Sequence, residues 1–87
     1  LSGFDFSTIP TRLLFVHHVD DGCDYTPHSA AKRLAERYPV VSVSGGLPPQ
    51  SKPCDAMSAH GFLGREADTV EAIAKWMLKQ PYPLEIN

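Results

Sequence analysis

Apolar residues fall along this chain in two short continuous runs and two periodic stretches. Arg12-Leu13-Leu14-Phe15-Val16, introduced by Ile9-Pro10, is the first run. A continuous apolar run bounded by turn signals predicts a strand buried on both faces, as in a parallel sheet. Val40-Val41-Ser42-Val43-Ser44 is β-branched and closed by Gly45-Gly46, which predicts a second strand. Between them Ala31, Leu34, Ala35 and Tyr38 follow the i, i+3, i+4, i+7 rule. Thr26 as N-cap and Pro27 at the first helical position open a helix over 27–38, and Pro39 stops it. Strand, helix, strand at this spacing is a βαβ unit with two parallel strands and a right-handed crossover. Residues 45–64 hold four glycines and three prolines without periodicity. So long a loop in a compact domain is more often functional than idle. A last helix over 66–79 carries the apolar stripe Val70, Ile73, Ala74 and Met77, with Trp76 covering its hydrophobic face and Glu71 and Lys75 paired at i, i+4 on the outer side. The tail Pro81-Tyr82-Pro83-Leu84-Glu85-Ile86-Asn87 reads as trailing off.

Composition bounds this α/β pattern. Eighty-seven residues form a single domain, 1–87, whose core is expected over 9–79. An apolar share of 43% suits a globular chain, and a net charge of −2 without a basic cluster gives nothing to attract nucleic acid. No apolar run long enough to span a membrane occurs, and no cofactor is implied. No signal peptide is legible, which says little about origin in a chain that begins at Leu. Two parallel strands leave unpaired outer edges. A second copy or a complementing chain is therefore the expected partner.

The densest chemistry is His17-His18-Val19-Asp20-Asp21-Gly22-Cys23-Asp24. It follows the first strand, and His60-Gly61-Phe62 follows the second. Parallel strands put both segments on one sheet edge, where reactive groups of open parallel sheets gather. Asp21 and His60, 39 positions apart in sequence, are thus expected to meet. A histidine held by a buried carboxylate is the general-base half of a nucleophilic triad. Asp20 and Asp24 fit turn-forming side chains. His17 is expected to pack at the strand end and His18 to hydrogen-bond backbone; Gly22, Gly61 and Gly64 serve backbone geometry. Metal ligation is disfavoured: adjacent histidines in a strand point to opposite faces, and the spacing matches no established zinc pattern. Cys23 and Cys54 read equally well as two buried thiols or as one disulfide.

The order of apolar strand, HHVDDGCDYTP, helix, VVSVSGG, cysteine-bearing loop, HGFLGRE and amphipathic helix resembles the C-terminal portion of an α/β-hydrolase, over residues 9 to 79. The resemblance implies a partial α/β-hydrolase fold of strand-helix-strand-loop-helix, with Asp21 as triad acid (Asp20 as runner-up) and His60 as base. It also favours a Cys23–Cys54 disulfide tying the acid loop to the histidine loop, hence a periplasmic or secreted location; without the bridge, a cytoplasmic one is expected. The departure is the nucleophile elbow: G-x-S-x-G occurs nowhere in the chain. Ser42, Ser44 and Ser58 lack the glycine frame. The expected function is a hydrolase-like fragment, inactive alone and self-associating. The alternatives are one chain of a two-piece serine esterase and a small non-catalytic interaction module.

Overall fold

Phe15–His18 (β1), Val40–Val43 (β2) and Glu85–Ile86 (β3) form an open parallel sheet of order β1-β2-β3 in the computed structural model, which describes residues 5–87. Two helices, His28–Leu34 (α1) and Glu66–Met77 (α2), complete a small α/β fold. Register places Phe15 beside Val40 and His18 beside Val43, so the carboxyl ends of β1 and β2 share one edge.

β1 begins later than the apolar run and includes both histidines. Each ring has a carbonyl to donate to, Thr26 for His17 and Gly45 for His18, so burying them leaves no donor orphaned. β2 ends at Val43, one residue short of the expected strand. The helix expected over 27–38 is shorter at both ends. Pro27 itself takes the cap position without a side-chain hydrogen bond. After Leu34 the backbone tightens into i→i+3 bonds, Glu36 N–H to Arg33 and Arg37 N–H to Leu34. Tyr38 then packs on Phe15, ring centroids 5.4 Å apart, and both meet Phe6 from the 3₁₀ turn Phe6–Thr8.

Two further expectations are corrected. The tail does not trail off: Ser42 and Ser44 donate their amides to Leu84 and Ile86, which adds β3 to the free edge of β2. Ile86 and Tyr82 consequently belong to the core with Val41, Val43 and Ala72, so the packed region extends beyond residue 79. The second correction concerns α2. Its buried residues are Thr69 and Ala72, while Val70 and Met77 are 63% and 66% exposed. The small side chain of Ala72 lets the helix approach Val41, Val43 and Ile86 closely, which turns the larger apolar line outward. Trp76 lies under the Arg12 guanidinium, 4.6 Å from its carbon, and its carbonyl accepts from Arg12 Nη2. Glu71 and Lys75 pair at 3.0 Å, as the spacing predicts. No helix among the described residues is long and apolar enough to cross a membrane.

Candidate active site

The acid loop leaves β1 through Val19 and Asp20, and Asp21 turns inward, its side chain only 3% exposed. Its carboxylate is held at both oxygens. The Cys23 amide donates to Oδ1 at 2.8 Å, and the Thr26 hydroxyl donates to Oδ2 at 2.9 Å. His60, in the 3₁₀ turn Ala59–Gly61 after β2, places Nδ1 2.9 Å from the same Oδ2. A carboxylate can only accept here, so Nδ1 carries the proton and Nε2 carries the lone pair. Thr26 Oγ1, its own proton given to Asp21, lies 3.1 Å from Nδ1 and makes a three-centre arrangement. The His60 side chain is 31% exposed, and no described residue hydrogen-bonds Nε2. The result is a buried acid, an oriented imidazole and a basic nitrogen facing outward.

Burial by itself pushes the Asp21 carboxyl upward. Hydrogen bonds from His60, the Cys23 amide and Thr26 outweigh it and hold the group below its ordinary value. A carboxyl depressed in the folded chain stabilises the fold above its unfolded value of about 3.9, and that contribution is lost as pH falls through the folded value. The stability gap between wild type and Asp21→Asn in urea titrations is therefore expected to narrow as pH falls below about 4. A gap that stays constant into that acid range would contradict this. Asp5, also depressed by its Ser7 hydrogen bonds, is common to both proteins and cancels in the comparison.

Asp20, the alternative acid, is exposed, and its amide donates to His18 Nδ1; it has no contact with His60. His18 is fixed between that amide and the Gly45 carbonyl and serves the backbone. Ser58 is buried and gives its hydroxyl to the carbonyls of Pro53 and Asp55, so it ties its own loop. Cys23 and Cys54 are bridged, Cα atoms 4.7 Å apart, which settles the alternatives in favour of the disulfide. Asp21, Cys23 and His60 have ligand-type atoms within 4.8 Å of one another, but a disulfide sulfur has no thiolate to offer a metal.

Three participants escape a reading of the sequence. Thr26 looks like a helix cap, yet α1 starts one residue too late for it and its hydroxyl serves Asp21. His17 brings Nε2 to 3.2 Å from Asp21 Oδ2 while donating to the Thr26 carbonyl. His28, on the first turn of α1, sets its Nδ1 3.4 Å from His17 Nδ1. Only the i, i+4 spacing of His17 and Asp21 offered a signal.

A cavity of about 300 Å³ lies beside this network, not over it. Gly22 and Ala59 line it, each the chain neighbour of a site residue, together with Leu47, Pro49 and Pro53. Fold and geometry thus define a small α/β chain that carries an Asp–His acid–base pair at the carboxyl edge of a parallel sheet. No protein-family model, no curated protein and no solved structure matches the chain.

Proposed function

We propose that this chain is the acid- and base-bearing C-terminal portion of an α/β-hydrolase-like protein, inactive alone and self-associating. The observation that carries this reading is the 2.9 Å contact between His60 Nδ1 and a buried Asp21, with Nε2 left open. With a serine supplied by a complementing chain, His60 Nε2 takes the proton of its hydroxyl as the oxygen attacks an acyl carbon. Asp21 holds the tautomer and stabilises the imidazolium, which then passes the proton to the leaving group. The substrate class is an ester or similar acyl compound. Self-association is supported by β1 and β3 standing at the two edges of the sheet, and by exposed Val70, Met77, Leu78 and Leu84. The disulfide supports an oxidising compartment, periplasmic or extracellular.

A second reading, one piece of a two-chain serine esterase, is favoured by the accessible Nε2. A bare interaction module needs no such nitrogen. Light scattering with a p-nitrophenyl ester assay tests these readings. The chain alone is expected to form at least dimers and to turn over ester no faster than free imidazole. A monomer at all concentrations sinks self-association. A burst of acyl-enzyme that survives His60→Ala sinks the triad assignment.

A further inference from the structure

His17 and His28 form an unusual pair. Their ring centroids are 5.6 Å apart and their planes 20° apart, yet the two Nδ1 atoms are only 3.4 Å apart. The nitrogens therefore lie between the rings and face each other edge to edge, an arrangement unlike a face-to-face stack. His17 Nε2 meets only acceptors, the Thr26 carbonyl at 2.8 Å and Asp21 Oδ2 at 3.2 Å, so it must carry a proton. In the neutral pair His17 Nδ1 is consequently a lone pair, and His28 Nδ1–H donates to it.

Protonation of such a pair has one permitted step. A proton arriving at His28 Nε2 makes the pair cationic, and the proton between the Nδ1 atoms can sit on either ring. A second proton would place N–H groups head to head. The single positive charge, when on His17, lies against Asp21 Oδ2, the oxygen that also receives His60. One carboxylate then serves two cationic partners, which couples their titrations negatively.

We infer that His17 and His28 act as a one-proton switch on the acid of the pair, with His17 a positioning residue that, once charged, draws Asp21 away from His60. This rests on the Asp21–His60 reading above. The surroundings leave the role to these groups. From α1 only His28 faces His17, and Lys32 and Arg33 on its last turn are exposed. From the acid loop come Asp21 and the Thr26 carbonyl, while Asp20 and Asp24 are exposed. From the 3₁₀ turn comes His60, through Asp21. β2 offers Ser42 as register partner, and the small void between β1 and α1 has no other titratable side chain in its lining. His18, on the opposite face of β1, is occupied by Gly45 and Asp20.

The test is a pH titration of the imidazole NMR signals of the intact, oxidised chain. In wild type the His60 signals are expected to move in two steps, the second tracking His28. In His17→Gln, which keeps an N–H donor for the Thr26 carbonyl but cannot titrate, His60 is expected to move in one step. His28→Phe, which removes the donor to His17 Nδ1 and leaves that ring to take a proton by itself, is expected to keep two steps with the second at a different pH, and keeps the test open if His17→Gln folds poorly. A His60 curve in His17→Gln that superposes on wild type, or a second step unmoved in His28→Phe, overturns the switch. Asp21→Asn separates this outcome from failure of the underlying reading. If Asp21→Asn leaves the His60 Nδ1 proton resonance and titration unchanged, the Asp21–His60 pair itself is wrong. If Asp21→Asn changes them and neither His17→Gln nor His28→Phe does, only the switch falls.

Discussion

Reduction of the Cys23–Cys54 bridge, or Cys54→Ser, is expected to cost about 3–4 kcal/mol, the chain-entropy value for a closed loop of this length. In a domain of this size total stability is of order 4–13 kcal/mol. The loss is therefore a large fraction of what holds the chain folded. The core explains why little else compensates: Val41 and Val43 are the only large side chains that are fully buried among the described residues. The bridge also acts locally. Cys23 donates its amide to Asp21 Oδ1, and Cys54 belongs to the loop that leads to His60. That loop is otherwise tied by few bonds, including Leu47 N–H to Leu63, Gln50 N–H to Met57 and the Ser58 hydroxyl to Pro53 and Asp55. Urea unfolding followed by circular dichroism, with and without reductant, reads the effect directly. A lowered midpoint with the His60 Nδ1 resonance broadened or lost is the expected result. Equal midpoints, or two titratable thiols in protein never exposed to reductant, would refute the role given to the bridge.

The parts of this fold that follow from local pattern were legible. Apolar runs bounded by prolines and glycines located β1, β2 and both helices, since those signals act within a few residues. What failed depends on partners distant in sequence. Hydropathy counts His17 and His18 as polar, yet β1 includes both because carbonyls of Thr26 and Gly45 receive their protons. Pro81 and Pro83 argue against a strand, yet Glu85–Ile86 pairs with β2, since only two residues beyond the prolines are needed. Val70 and Met77 carry the stronger hydrophobic periodicity. The sheet nevertheless selects Ala72, because a sheet of three short strands is met most closely by a small side chain. The site shows the same division. Strand order alone places the acid loop and the histidine loop on one edge. The hydroxyl that Thr26 donates to Asp21, the approach of His17 to the same carboxylate, and the contact of His28 with His17 depend on side-chain directions no spacing rule contains.

The second large effect is expected at Gly61→Ala, and it separates two reasons for a glycine beside His60. A Cβ on Gly61 would lie 1.9 Å from the Ala56 carbonyl oxygen and 2.7 Å from its Cα. The obstacle is backbone, so no rotamer change relieves it, and either Ala56 or the turn holding His60 must shift. That turn is closed by Gly61 N–H to Ser58 and Phe62 N–H to Ala59, and Phe62 already sits in the left-handed region at φ 60°. Little slack remains to absorb a displacement. Overpacking against a rigid neighbour costs about 1–3 kcal/mol or more, and the upper end applies here. The displacement falls on the residue next to His60, so the 2.9 Å contact with Asp21 should be lost along with that stability. Misplacement of a catalytic group by about 1 Å typically costs two orders of magnitude in rate once a nucleophile is supplied. Gly22 is the control. It neighbours Asp21 as Gly61 neighbours His60, but a Cβ there meets only Pro53 Cβ at 3.6 Å, an ordinary contact. Gly22→Ala should stay within about 0.5 kcal/mol of wild type in urea midpoint and keep the His60 Nδ1 resonance. If both alanine variants keep that resonance, the close approach of Gly61 to Ala56 does not position the base.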